Sequence, residues 1–260
     1  VQSLLVIIER TDSFATIRLN GPDGFNWRSP VMLNSLTETF TNLEHQPEMR
    51  AIILTAASDG APPTETDVAE PADLIRSELR ENYQERKTLY DQIEKCSMPV
   101  IAAIDGPAAG DGFELALACH LRIASPRASF RLPDVMLDSI AGRSAVQRLA
   151  REIGEAAAHE IVPNGEIILA EEALRIGLIN RIAPEDGLLT EAESLARQIS
   201  TMAPLAMRAC LEAVTRGIEL PLAEGLALET KLFSSLFATN DVREGTSAFL
   251  EKRPPVFKGT

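Results

Sequence analysis

The chain has 260 residues, 45% of them hydrophobic and 24% charged, enough apolar content for a buried core and too much for a disordered polymer. Its net charge of −13 is the wrong sign for coating nucleic acid or an anionic membrane, so a phosphate-bearing ligand needs a local basic patch. The length fits one large domain, or one domain with a helical appendage.

Two short apolar runs, Leu4 to Glu9 and Phe14 to Leu19, flank the polar Arg10-Thr11-Asp12-Ser13 and predict an antiparallel hairpin. After the turn-rich Asn20 to Gly24, Ser29 and Pro30 open a helix whose Leu33, Leu36 and Phe40 recur at helical spacing, running to about Glu44. Ala51 to Thr55 and Pro99 to Ile104 read as buried strands, with a helical stretch from Tyr83 to Lys95 between them, a right-handed crossover unit. Ser58 to Asp73 is acidic and aperiodic, a surface loop long enough to suggest function. Gly112 to Cys119 is helix-forming, Leu121 to Ala124 is a strand, Leu178 to Ile182 is the last strand, and helical patterns dominate from Arg143 onward. Strands early and helices late argue for an α/β core followed by a helical subdomain.

Cys96, Cys119 and Cys210 are odd in number and lack CxxC spacing, so neither a disulfide framework nor a zinc site is encoded, which fits a cytoplasmic protein. No apolar run nears the roughly 18 residues of a membrane span, and Val1 to Leu5 lacks a signal-peptide pattern, so neither secretion nor membrane insertion is expected. His45, His120 and His159 have no partners at ligand spacing and read as surface or packed residues. Ser139 and Ser144 lack a nearby His for a hydrolase triad. The Leu/Ala pattern from Pro221 to Phe237 reads as a packing or subunit interface.

The stretch Ile104-Asp105-Gly106-Pro107-Ala108-Ala109-Gly110-Asp111-Gly112-Phe113-Glu114 runs from strand through a small-residue turn into a helix. Backbone N–H groups at such a helix start favour an anion, and Gly110 and Gly112 open space for close approach. Glu114 then lies within reach of whatever the amides hold. A Gly-rich turn with a dipole-favoured acid accounts for the same residues. The Gly spacing fits neither GxxxxGK[ST] nor GxGxxG, so it is not a nucleotide-phosphate loop. In Phe130-Arg131-Leu132-Pro133-Asp134-Val135, an acid among apolar residues is either a turn acid or a desolvated proton-transfer group.

The run Pro99 to Cys119, together with Phe130 to Val135, Gln147-Arg148-Leu149 and Phe237 to Arg253, resembles the enoyl-CoA hydratase/isomerase family (crotonase superfamily), in order from Leu19-Asn20 to Phe257. The resemblance implies an α/β fold with a crotonase-like ββα spiral core, assigned to residues 1–195, and a C-terminal α-helical trimerisation region, residues 196–260. It implies a homotrimer or dimer of trimers acting on an acyl-CoA thioester, with no metal or redox cofactor, coenzyme A being part of the substrate. Two backbone amides that stabilise a thioester enolate fall on Thr64 and Asp111, and two acids that bracket water fall on Glu114 and Asp134. Contacts to coenzyme A fall on Asn26, Trp27, Arg28, Asp67 and Gly110, with Phe233 and Lys252 reaching the nucleotide, often from a neighbouring subunit. Lys252 and Arg253 would then supply the basic patch. The implied reaction is hydration of a 2-enoyl-CoA or dehydration of a 3-hydroxyacyl-CoA; a specialised isomerase, decarboxylase or C–C hydrolase, or a non-catalytic acyl-CoA-binding protein, are the alternatives.

The chain departs from the family pattern at four places. Pro62-Pro63-Thr64-Glu65-Thr66-Asp67 replaces a Gly-bearing segment, although Asp67 and Glu70 keep capping-box spacing. Asp111 replaces a glycine and brings a carboxylate toward the enolate oxygen, where it repels unless turned away or protonated. Asp134 replaces Glu and shortens its reach by roughly 1 Å or more. Trp27 replaces a small residue at the coenzyme A entrance, where it either stacks on adenine or obstructs.

Overall fold

The computed structural model describes residues 5–20, 30–56, 87–133 and 145–260. Strands β1 (Val6–Arg10) and β2 (Phe14–Leu19) form the expected antiparallel hairpin, with Val6 opposite Leu19. Thr11 closes the turn: its backbone N–H and its hydroxyl both lie 2.9 Å from the Phe14 carbonyl. Strands β3 (Ala51–Ala56), β4 (Val100–Ile104), β6 (Leu121–Ala124) and β9 (Arg181–Ile182) continue the sheet in parallel, in the order β1-β2-β3-β4-β6-β9. A three-stranded sheet holds β5 (Pro107–Ala109), β7 (Ser129–Arg131) and β8 (Ile168–Leu169). The sequence reading had no strand at β5 or β8, because two or three residues show no period and their partners lie 20 to 40 positions away.

A parallel sheet must be covered on both faces, and the alternation along β3 assigns its two covers. Ile52 and Leu54 face helix α1 (Pro30–Glu44), whose Met32, Leu33, Leu36, Phe40 and Leu43 are buried at helical spacing. The same face receives Leu89, Tyr90 and Ile93 of α2 (described over 87–94). Ala51 and Ile53 point the other way, onto Leu188, Ala192 and Ala196 of α7 (Leu188–Ser200). Full burial of each large apolar side chain contributes about 1.5–3 kcal/mol, so these layers carry most of the core.

Helix α3 (Asp111–Ala118) packs in the angle between the two sheets, with Phe113 against Phe130 at 5.4 Å between ring centres. Helices α4 (Ala145–Ile153), α5 (Glu155–Asn164) and α6 (Ala170–Arg175) close that side. Helix α7 runs unbroken through residue 195, and its Ala196 is fully buried. Helices α8 (Pro204–Gly217) and α9 (Leu222–Leu236) pack on each other and have no buried residue, and α10 (Asn240–Glu251) buries only Asp241 and Ala248. Val214, Leu222, Phe233, Phe237 and Phe249 are all more than half exposed.

Candidate active site

The segment that links β4 to α3 changes direction twice at glycines with positive φ, Gly106 at 97° and Gly110 at 50°. Gly110 combines φ 50° with ψ −121°, a backbone conformation that residues with a Cβ rarely adopt. Its N–H donates to the Arg131 carbonyl at 3.0 Å, which ties the turn to β7, and its carbonyl accepts the N–H of Glu114 at 2.9 Å. No side chain caps α3 at this end. First-turn amides find no carbonyl within their own helix, and they stand at the positive end of its dipole.

Glu114 lies in that first turn and is only 2% exposed, so its carboxyl group is removed from bulk water directly beside the helix start. Asp111, the first residue of α3, is half-buried and stands one turn before Glu114 on the same helix face. The buried Tyr90 hydroxyl lies 3.5 Å from the Asp111 carbonyl, so α2 abuts the site from the large-sheet side.

The other end of α3 is held by a residue that sequence reasoning passed over. Arg122, 2% exposed, donates from Nε to the Leu178 carbonyl at 2.7 Å and from Nη1 to the carbonyls of Cys119 at 2.8 Å and Ala116 at 3.3 Å. Its Nη2 pairs with Glu152 at 2.8 Å. A guanidinium on the last carbonyls of a helix complements the dipole, so α3 is fixed behind the functional end. The signal was available: an arginine inside the otherwise apolar Leu121–Ala124 strand, immediately after a helix end. Arg148 performs a related task, bridging α4 to Glu94 at 2.8 Å and Asp91 at 3.2 Å on α2. His120 is packed as expected: Nδ1 accepts the Val100 N–H at 3.0 Å while Nε2 lies 3.2 Å from the Glu94 carbonyl, which selects the neutral ring, and burial lowers its pKa. Burial pushes the Cys96 and Cys119 thiols up to about 12, so both are inert.

The sequence model of the enoyl-CoA hydratase/isomerase family matches residues 9–260. A probable enoyl-CoA hydratase of Mycobacterium tuberculosis is 38% identical over 252 residues, covering 97% of each chain. The chain belongs to this family. An (E)-benzylidenesuccinyl-CoA hydratase of Thauera aromatica is 35% identical over 254 residues, covering 98% of this chain and 99% of the relative. The crystal structure of an enoyl-CoA hydratase from Bacillus anthracis superposes with a TM-score of 0.91 at 32% identity, covering 99% of this chain and all of that one. The crotonase-type fold is therefore that of this hydratase family.

Of the family positions expected from sequence, Gly110, Asp111 and Glu114 are brought together at the start of α3. Asn26, Trp27, Arg28, Thr64, Asp67 and Asp134 lie outside the described residues. β2, β3 and β4 are parallel, so their carboxyl ends at Leu19, Ala56 and Ile104 lie at the same end of the sheet as the turn into α3. The carboxyl ends of parallel strands are the usual location of a ligand site in α/β proteins. Phe233 is 61% exposed on α9, edge-on to Phe237, and Lys252 ends α10 with φ 55°; neither shares a core cluster with α3. Arg253 corrects the expected basic patch. Its guanidinium is bound by Glu244 at 2.6 and 2.9 Å and by Glu251 at 2.7 Å, and Glu244 is held down to about 2 by that contact. Of the two, Lys252 forms no ion pair among the described residues. Among the described residues there is no cluster of three or more metal-ligating side chains, and no helix is long and apolar enough to cross a membrane.

Proposed function

We propose that the protein hydrates a 2-enoyl-CoA, or dehydrates the corresponding 3-hydroxyacyl-CoA. The observation that carries this reading is the water-shielded Glu114 carboxyl in the first turn of α3, beside uncapped amides and behind a glycine turn. The family's named hydratases support the same chemistry. The N–H groups of Thr64 and Asp111 would donate to the thioester carbonyl oxygen. Glu114 takes a proton from water as the water oxygen bonds to C3, the double-bond electrons move onto the carbonyl oxygen as an enolate, and protonated Asp134 delivers its proton to C2. The sum is one water added and no net change of oxidation state. Removal of a single oxyanion donor costs about 2.7–4 kcal/mol in enzymes of this type of stabilisation. With the acids acting on C2 and C4 instead, the same set would isomerise a double bond.

One observation favours a second reading. Asp111 is half-buried on the Glu114 face of α3, so it could act as a third acid in a specialised member of the family. Assembly as a homotrimer or dimer of trimers is supported by α8 and α9, which leave their apolar side chains uncovered. In such an assembly Phe233 and Lys252 would meet the coenzyme A nucleotide of a neighbouring subunit, and residues 196–260 would form the oligomerisation region. The unpaired, inert Cys96 and Cys119 suit a reducing cytoplasm.

The test is turnover of crotonyl-CoA, followed by loss of the conjugated thioester absorbance. Loss of turnover in both Glu114→Gln and Asp134→Asn supports hydration. Turnover that survives Asp134→Asn and disappears in Asp111→Asn selects the specialised enzyme. Coenzyme A binding with no turnover on any enoyl-CoA makes the chain a binding protein.

A further inference from the structure

The large sheet has a second end, where β3 and β4 begin, and a cavity of about 280 Å³ opens there. Arg50 immediately precedes β3, and Ser97 and Met98 precede β4; all three line it. The start of α3 lies beyond the opposite end of β4, whose five residues span about 16 Å. The cavity is therefore separate from the candidate active site.

Its lining has two characters. Met49, Met98, Met202 and Met207, four of the six methionines in the chain, form an apolar wall with Ile199 and Leu205. Methionine is the most adaptable apolar side chain and is frequent where ligands of variable shape are accepted. Arg50, Arg208 and Lys258 supply positive charge, against a single carboxylate, Glu44, already committed to the Ser97 N–H at 2.9 Å. In a chain of net charge −13 this sign is against the average. Arg208 and Lys258 form no ion pair among the described residues, which they share with Lys231, Arg243 and Lys252, whereas Arg216 and Arg253 are each paired with a glutamate.

Lys258 is also held in place. Asp241, 4% exposed, accepts the backbone N–H of Lys258 and that of Gly259, both at 2.8 Å. Burying a carboxylate is costly unless its oxygens are bonded, and both of these bonds go to fixing the chain around Lys258. Gly259 passes so close to Pro204 that a Cβ would stand 3.1 Å from its ring. That brings residues 258–259 over the first turn of α8, where Pro204 and Leu205 line the cavity and no side chain caps the helix.

We propose that this cavity binds a small amphipathic organic anion: an acyl chain of short to medium length on the methionine wall, with a carboxylate or phosphate head held by Arg208, Lys258 and Arg50. The proposal is independent of the hydratase reading. It is tested on the full chain labelled with ¹³C at the methionine methyls, assigned by single Met→Leu variants, and titrated with octanoate, octyl phosphate, octanol and inorganic phosphate. The expected result is that octanoate or octyl phosphate moves the signals of Met49, Met98, Met202 and Met207 and leaves Met32, buried on the core face of α1, in place. Whichever of the two binds more tightly identifies the head group. Octanol and inorganic phosphate should bind at least about tenfold more weakly. The double variant Arg208→Gln/Lys258→Gln, both at exposed positions, should keep the ligand-free spectrum and lose about tenfold or more in affinity. The proposal is overturned if the four signals stay fixed at millimolar octanoate and octyl phosphate. It is equally overturned if octanol or inorganic phosphate binds as well as the amphipathic anions, if the double variant binds unchanged, or if the shifts centre on Met136, two residues from Asp134.

Discussion

Two regions of this chain handle their apolar surface in opposite ways. Around α3, every large side chain is covered by another element of the same chain: Phe113 by Phe130, Leu115 and Ala116 by the α1 and α2 layer, and the helix end by Arg122. From α8 onward, Leu222, Phe233 and Phe249 stand 78%, 61% and 83% exposed. An exposed apolar set of that size marks an interaction surface. The contrast separates a helix start whose acid the chain itself shields from a helical region whose apolar side chains the described residues leave uncovered. Substitutions in the first region should alter the chemistry or stability of a single chain; those in the second should alter assembly first.

The largest effect is expected at Glu114. Glu114→Gln keeps the side-chain shape and should lower kcat by about 10²–10⁴-fold, the usual contribution of a general base, with unfolding by urea unchanged; wild-type turnover in this variant would remove Glu114 from the mechanism. Next comes Arg122→Met, which strips a guanidinium from three carbonyls and leaves Glu152 unpaired. The expected loss is about 3 kcal/mol in the urea midpoint analysis, and a loss below 1 kcal/mol would show that α3 does not depend on that anchor. Gly110→Ala tests the turn itself. Apart from its chain neighbours, no atom of the described residues lies within 4 Å of the added Cβ, so its expected cost of about 1–3 kcal/mol is backbone strain, and turnover should fall further than stability because the helix start is displaced.

In the second region, Leu222→Glu with Phe249→Glu should shift sedimentation toward smaller species while the chain's own unfolding free energy changes by no more than about 0.5 kcal/mol; an unchanged sedimentation profile breaks the comparison. The smallest effect concerns pH. Burial lowers the His120 pKa from its ordinary value of 6.5, so the unfolded chain binds this proton more readily than the folded one. His120 thus contributes stability that is present above pH 6.5 and is lost as pH falls below it toward the lowered value. His120→Gln should flatten that part of the stability–pH curve, and an identical slope in the variant would assign it to other groups.

Local pattern made much of the first region legible. Ser29-Pro30 followed by Leu33, Leu36 and Phe40 announced a helix that the structure begins at Pro30 and ends at Glu44. The branched runs at Ala51 and Val100 announced strands found within one residue of expectation. The small-residue turn before Glu114 could be read as a helix start because glycines and a first-turn acid are local signals. Strands β5 and β8 were not readable, since each exists only through pairing with β7. Arg253 looked like a free cation until Glu244, nine residues earlier, closed on it.

What the sequence by itself determined is the set of elements with a period, the glycine turn into α3 and the family of which these motifs are part, because each rests on spacing within a few residues. Only the tertiary structure decided that Glu114 is shielded from water, that Arg122 holds the helix behind it, and that Arg50, Arg208 and Lys258 gather around one methionine-lined cavity. Burial and charge pairing depend on residues brought together from distant positions, and no local period encodes which of them will meet.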